Sequence, residues 1–432
     1  MKKAHCLYAL LLLFMPPLSS QVNAWEQVVE QFRKDYEKLD LMPLRIAYVD
    51  NLGGIKEMVE LQQQRQVFEH LRQELQPFDY QQLSEKQQIE YRLLQHHLLL
   101  NEVRIPLEEQ WRALNLDTIP TARLAYLPNG KAWYTYFLQQ WVDPSATPEA
   151  LFDFGLSEIE KVQAKIKAIE QKSGMDSLAF QQYIQSDAFF YHQVDEVQQA
   201  LEAYSARMTQ RLPDYFPGMA EIPKLKIQRG QIERLAQVPG FYSDNTLYYN
   251  FFDRPFNKRQ ITWLYLHEAL PGHHYEISYS RSHRVSPLQS LFNNPAYSEG
   301  WAAYVEEIGW EIGAYDTIYD ELGKWEWDLI RSVRVPLDIG LNYYAWSDEQ
   351  ALAFWQKYIS GQDDIGLREI ARMKRWPCQV ITYKYGADQL LRWKAQLEKQ
   401  PGFDLKQFHE QVLQYGPLPF SILEPLLLKH LD

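Results

Sequence analysis

The sequence predicts a mainly α-helical, two-lobed protein with a small β element just ahead of a histidine-rich segment. Three observations carry this expectation. Apolar residues recur at helical spacing along most of the chain, whereas strand-like alternation is confined to a stretch after residue 223. The 432 residues exceed a usual single core, yet show no Gly/Ser linker, low-complexity tract or repeat, which favours one large unit over separable domains. The 13 Trp and 28 Tyr suit a deep cleft lined by amphipathic rings.

Residues 1–24 read as a secretory signal peptide. Lys2 and Lys3 precede an apolar run from Cys6 to Met15 that is too short to span a bilayer, and Val22-Asn23-Ala24 offers a cleavage site. Cys6 sits inside the apolar run, so a lipoprotein reading does not fit. The expected mature chain, residues 25–432, is a single soluble unit with no stable membrane anchor, exported to the bacterial periplasm. Its only thiol is Cys378, which excludes an intrachain disulfide and leaves His and carboxylates to build any metal site. Loss of Lys2 and Lys3 takes the formal charge from −12 to −14, and no basic run offsets it, so a nucleic-acid partner is not expected.

Helical spacing appears first around Glu60–Leu75, then over Gln87–Val103, where Ile89, Leu93, Leu94, His97 and Leu98 share a face. His96 and His97 have no carboxylate at ligand spacing and read as structural. Thr147 caps and Pro148 opens a helix running to Gln171, before Ser173-Gly174. Another spans Gln193–Gln210. Lys224–Gln228 and Thr246–Phe252 read as strands with a turn at Pro239-Gly240. Helices then resume, beginning with Lys258–Leu270, which buries Ile261, Leu264 and Tyr265.

That helix ends in His267-Glu268-Ala269-Leu270-Pro271-Gly272-His273-His274. A His-Glu pair followed by another His is the pattern by which metallopeptidases hold Zn²⁺ and set a general base beside it. The spacing departs from the usual one. In a regular helix His273 is turned about 120° from His267, and His274 lies about 10 Å along the axis, so neither shares an ion with His267. Pro271 removes an N–H and crowds the preceding turn, and Gly272 tolerates unusual backbone angles. A break there swings one of the two back, His273 being favoured. The other, His274, is then left to support a ligand or to hydrogen-bond the reacting carbonyl.

A third ligand is expected from a second helix. Asn294-Pro295 is a good helix start, and Glu299, Ala302, Ala303 and Glu306 share one face, the alanines permitting close approach. Glu299 is the candidate ligand. Glu306 is either an exposed helical residue or a partner that orients a ligand histidine.

These motifs, with Ser298-Glu299-Gly300-Trp301-Ala302, resemble the bacterial family known as domain of unknown function 885. Thr147–Ala150 with Gly155-Leu156 resembles the family's middle helix. Arg334, Asp338 and Gly340 resemble a later segment, followed by Arg372, Pro377, Gln379, Tyr383, Lys384 and Gly386. Phe408-His409, Val412-Leu413, Gly416 and Pro419 resemble its end. The departures, Glu276, Asn342, Met373 and Cys378, fall on none of the proposed ligands or the base. The resemblance implies kinship to helical gluzincin peptidases, such as angiotensin-converting enzyme and the Taq-type carboxypeptidases, and hence their fold. In those, Gly-His closes the zinc segment and a later Glu completes it, which implies His267, His273 and Glu299 as ligands of one zinc ion.

The expected activity is that of an exported zinc metallopeptidase on short peptides, with Glu268 activating water. Arg372 is expected to grip a substrate carboxylate, and Tyr383 to stabilise the oxyanion. Tyr248 and Asn250, on the strand before the zinc helix, are expected to flank an extended peptide at a strand edge. Arg372 binding the peptide terminus implies a carboxypeptidase; otherwise an oligopeptidase follows. A zinc amidase on cell-wall or other non-ribosomal amides, and a non-catalytic peptide-binding envelope protein, are the alternatives. Arg334 and Asp338, four apart, read as a helix ion pair.

Overall fold

A computed structural model describes residues 18–429, apart from 117, 120–122, 236–237, 253 and 293. Most of the expected signal peptide, Cys6 included, lies outside the described residues. The chain is mainly helical. In order come α1 (Leu18–Lys38), α2 (Tyr48–Gly53), α3 (Met58–Leu75), α4 (Glu85–Ala113), α5 (Gly130–Trp141), α6 (Pro148–Ser173), α7 (Ser177–Ile184) and α8 (Val194–Arg211). After a strand region follow α9 (Gln260–Glu268), α10 (His273–Ser282), α11 (Pro295–Glu307), α12 (Ile318–Asn342), α13 (Asp348–Tyr358), α14 (Asp363–Arg375), α15 (Thr382–Leu397), α16 (Leu405–Leu413) and α17 (Phe420–Leu427). Local chemistry sets the boundaries. The Thr147 hydroxyl accepts from the Ala150 N–H at 3.4 Å to start α6, and Gly174 ends it at φ 72°. The α4 helix runs on past the expected Val103 to Ala113 with Pro106 in its interior.

Two large apolar cores organise these helices. One gathers Trp25, Phe68, Leu93, Leu201, Leu264, Trp301 and Leu423; the other gathers Leu52, Trp111, Phe137, Val335, Trp355 and Ile370. The α4 helix serves both, with Ile89–Ile105 in the first and Leu107 and Trp111 in the second. Trp25, the first residue after the expected cleavage point, is buried and donates its indole N–H to Glu90 at 2.7 Å.

The strand region corrects one expectation. Strands β1 (Phe190–Tyr191) and β5 (Phe256–Asn257) form a short antiparallel pair that is too brief to read from sequence. Strands β2 (Lys226–Arg229), β3 (Gly240–Ser243) and β4 (Thr246–Tyr249) form a sheet of order β2-β4-β3. Pro239-Gly240 is therefore no turn: Gly240 opens β3. The turn is Asp244-Asn245, both at positive φ, as a two-residue hairpin requires. Because β2 pairs parallel and β3 antiparallel with β4, β4 is the central strand.

Close helix pairs carry the site. A Cβ on Gly300 of α11 would meet the Gly386 Cα of α15, and one on Gly386 would meet the Ala296 carbonyl, so these helices touch backbone to backbone. Gly155 of α6 packs closely against the side chains of Val335 and Pro336 of α12. Charges are sealed between the same helices. Lys384 lies 2.7 Å from Glu158 and 2.8 Å from Asp328, while Lys324 lies 2.7 Å from Glu307 and 3.3 Å from Asp328. Arg334 and Asp338 do not pair. Arg334 turns to Glu369 at 3.2 Å, and Asp338 accepts from the Tyr134 hydroxyl at 2.7 Å and the Cys378 N–H at 3.0 Å. Burial raises the Asp338 pKa to about 7; leaving this carboxyl to the neutral donors Tyr134 and Cys378 is compatible with a protonated acid there.

Gly300→Ala forces α11 and α15 apart. The expected result is a loss of about 1–3 kcal/mol in stability, read from urea unfolding.

Candidate metal centre

The α9 helix ends at Glu268 and α10 begins at His273, so the chain does break at Pro271-Gly272. Ala269 and Gly272 leave helical geometry at ψ −113° and −134°. A Cβ on Gly272 would collide with the Leu266 and His267 carbonyls, so glycine is required for this close fold-back. The Trp301 indole of α11 donates to the Pro271 carbonyl at 2.8 Å and holds the break. The Tyr275 N–H, 3.3 Å from the Ala269 carbonyl, rejoins the chain to the end of α9.

His273 consequently returns toward His267, with ring centroids 4.8 Å apart and planes at 84°. Glu299 of α11 faces both. Its Oε2 lies 3.6 Å from His267 Nε2 and 3.3 Å from His273 Nε2. A tetrahedral zinc with bonds of about 2.0–2.1 Å sets neighbouring ligand atoms about 3.3–3.5 Å apart. Among the described residues these three form the one cluster of His, Cys or carboxylate side chains close enough to hold an ion. The His/carboxylate set suits zinc.

Glu306 is fully buried and orients His267. Its Oε1 lies 2.7 Å from His267 Nδ1, which leaves Nε2 toward Glu299, free for an ion if one binds. Arg331 of α12 clamps Glu306 through two bonds of 2.8 and 2.9 Å and lies 3.2 Å from the same Nδ1. Nothing in the sequence separates Arg331 from its polar and charged neighbours on α12, Asp328, Ser332 and Arg334.

Tyr383 and Arg372 belong to this neighbourhood. The Tyr383 ring stacks near His267 at 6.0 Å. Its hydroxyl accepts from Gln379 at 3.1 Å, and Gln379 in turn accepts from Arg372 at 2.7 Å. Arg331 and Arg334 lie over the Tyr383 ring at 5.3 and 5.4 Å. Glu369 serves Arg334 at 3.2 Å and Arg372 at 3.5 Å.

The other three candidates lie elsewhere or are already engaged. His274 is fully buried, with Nδ1 3.1 Å from the Tyr242 hydroxyl and Nε2 2.8 Å from the Pro223 carbonyl. It ties α10 to the sheet and has no ring nitrogen left for a substrate carbonyl. Asn250 is buried and donates to the Leu235 and Val238 carbonyls, both at 2.8 Å. Tyr248 stacks on Phe241 at 4.9 Å, in the central strand, which has no free edge to offer a peptide. His97 packs flat on Phe292, the structural role expected of it.

The profile of a family described as bacterial protein of unknown function (DUF885) matches residues 18–427. The chain belongs to the DUF885 family. No curated protein sequence matches it. The fold is similar to the crystal structure of a candidate lipoprotein from Colwellia psychrerythraea. That match has 22% identity and a TM-score of 0.63, and covers 97% of this chain and 77% of that one. It is also similar to a candidate lipoprotein of unknown function from Shewanella oneidensis, with 18% identity, a TM-score of 0.59, and coverage of 96% and 80%.

Electrostatics in this DUF885 chain favour a cation at the cluster. Burial and Arg331 oppose protonation of His267, yet hydrogen bonds to Glu299 and Glu306 outweigh them and raise its pKa to about 9. Burial likewise opposes charge on Glu299, but His267 and His273 hold its carboxyl well below the usual range. Glu268, half-buried beside them, is pushed up by burial, with His267 and His273 resisting.

Two predictions follow from this geometry. Zinc-loaded protein should retain about one ion per chain by mass spectrometry. That ion should be lost in His267→Ala, His273→Ala and Glu299→Ala and kept in His274→Ala. Since the metal-free site holds a proton on His267 below pH about 9, zinc must displace it. Apparent zinc affinity should therefore climb as pH rises toward 9 and then level, with proton release measurable by calorimetry in buffers of different ionisation heat.

Proposed function

We propose that this chain is an exported, zinc-dependent metallopeptidase acting on short peptides. One observation carries the reading: Glu299 Oε2 lies 3.6 Å from His267 and 3.3 Å from His273, the three ligand atoms fall within 4.8 Å of one another, and Glu268 adjoins His267 in the chain. Zinc held by these three would polarise the scissile carbonyl and acidify an attacking water. Glu268 accepts the proton of that water and delivers it to the leaving amine. A purely structural metal site has no use for such a base, which weighs against a non-catalytic binding protein.

Tyr383 supplies a donor for the developing oxyanion. Its oxygen already accepts from Gln379, so its own proton is available to point at substrate. Arg372, partly exposed, keeps a charge to pair with a substrate carboxylate, since Glu369 is divided between it and Arg334. A periplasmic location draws support from the basic, apolar N-terminal segment and from structural neighbours described as candidate lipoproteins. No described helix is long and apolar enough to cross a membrane.

Glu268→Gln should keep its zinc while hydrolysis of a mixed peptide library, read by mass spectrometry, falls by roughly two to four orders of magnitude. Undiminished cleavage in that variant, or a zinc-loaded wild type that cuts no peptide, refutes the proposal.

A further inference from the structure

We infer that Asp338 is held as a neutral acid and that in this form it positions Gln379, and through it Tyr383 and Arg372, in the proposed active site. The inference rests on the peptidase reading and adds a positioning residue to it. A chain of hydrogen bonds is the first argument. Gln379 touches both groups assigned to substrate: its amide donates to the Tyr383 hydroxyl at 3.1 Å, and its oxygen accepts from Arg372 at 2.7 Å. Gln379 follows Cys378, which stands at φ 71°, a left-handed conformation that residues with a Cβ disfavour. Such a residue stays there only where its surroundings hold it. Here the hold includes Asp338 Oδ1, which accepts from the Cys378 N–H at 3.0 Å. The same oxygen is fixed by the Tyr134 hydroxyl of α5 at 2.7 Å. One carboxyl of α12 thus sets the turn from which Gln379 reaches its two partners.

The second argument is that this place suits an acid and not an anion. Asp338 is fully withdrawn from water, and both of its donors are neutral. Burial, reinforced by Asp338, raises the pKa of the Tyr134 phenol and of the Cys378 thiol. The guanidinium groups are committed elsewhere. Arg334, one turn back on α12, turns to Glu369, and Arg372 of α14, the cation near enough to favour ionisation of Asp338, is held by Glu369 and Gln379. A buried carboxylate with no paired cation is costly. Among the described residues, two buried oxygens here have no partner, Asp338 Oδ2 and Asn342 Oδ1. Asn342 stands one turn on along α12, with its side chain beside the carboxyl. Its amide nitrogen already donates to the Asp338 and Met373 carbonyls at 3.2 and 3.1 Å, so an acceptor is what it has left. Two acceptors side by side repel, whereas a proton on Asp338 Oδ2 can give both a partner. Burial, which raises the Asp338 pKa to about 7, agrees with this arrangement. The neutral acid's contribution to stability is full at low pH and is lost as pH rises through about 7.

The test uses zinc-loaded full-length protein and a mixed peptide library. Cleavage is followed by mass spectrometry across the pH range around 7, and binding to zinc-loaded Glu268→Gln by fluorescence anisotropy. Wild-type kcat/KM should fall as pH rises through about 7. Asp338→Asn keeps an oxygen for Tyr134 and Cys378 and a donor for Asn342 but cannot ionise, so it should stay active and lack that fall. Tyr134→Phe removes a donor that favours the anion, so it should move the fall to higher pH. Asp338→Ala should lose roughly ten- to a hundred-fold in kcat/KM with its zinc retained. The double variant with Gln379→Ala should be no worse than Gln379→Ala alone, because Asp338 acts through that residue. Urea unfolding reads the proton without turnover: wild type should lose stability relative to Asp338→Asn as pH rises toward about 7. If Asp338→Ala does not fold, the Asn and Phe variants still decide. Asp338→Asn as impaired as Asp338→Ala, losses that add in the double variant, or a wild-type profile that Asp338→Asn leaves unchanged overturns the inference and leaves the peptidase standing. A wild type that binds peptide without cutting it removes the peptidase, and binding that Asp338→Ala abolishes and Asp338→Asn keeps still supports the positioning role. Absence of both binding and cleavage removes both.

Discussion

One steric requirement governs the site: two histidines six residues apart must reach a common point. A continuous helix forbids it, so the backbone must stop and restart between them. Pro271 prevents continuation, Gly272 alone fits against the carbonyls of the last turn, and Trp301 takes up the Pro271 carbonyl that the break exposes. Trp301 also stands two residues from Glu299. The helix that fastens the break is therefore the one that carries Glu299, and its depth is set by the Gly300–Gly386 contact. Ligand geometry and helix packing are one problem here, solved by the same few residues.

Electrostatics then decide which nitrogen of His267 faces Glu299. A carboxylate as deeply buried as Glu306 is costly unless its oxygens are taken up, and Arg331 takes both. The pair fixes the Nδ1 side of His267 and leaves Nε2 toward Glu299. Arg331 and Arg334 lie over the Tyr383 ring, and Arg372 reaches its hydroxyl through Gln379. Glu306 and Glu369 pair with these arginines, while burial and the nearby Glu299 raise the pKa of the phenol.

Much of this was legible in the sequence. Helical spacing and capping chemistry located α3, α6, α8 and the ends of α9, because amphipathic periodicity and Thr147, Pro148 and Gly174 are local signals. The need for a break at Pro271-Gly272 followed from arithmetic on the helix, and Glu299 and Glu306 from their shared face. What local reasoning could not supply was long-range pairing. The parallel partner of β4 comes from β2, across β3, so Tyr248 looked like an edge residue and is not, while Asn250 lies just past the strand and bonds the Leu235 and Val238 carbonyls. His274 adjoins a ligand in sequence, but α10 turns its ring to the sheet. Arg331 and Glu369 become legible only when α12 and α14 are docked. The one local signal overlooked was Asp244-Asn245, a hairpin turn in plain composition.

The buried charges between α6, α11, α12 and α15 carry a consequence for how this chain can change over time. Glu158, Glu307, Lys324, Asp328 and Lys384 satisfy one another across four helices, and each is almost fully withdrawn from water. Deleting one strands a partner, at a cost of about 3–5 kcal/mol, a large share of the stability of an ordinary domain. The apolar positions around them tolerate volume-conserving exchange at much lower cost. Exchange of one member alone is therefore far more costly than a volume-conserving exchange in the cores on either side, so a change here is expected to need a second one at its partner.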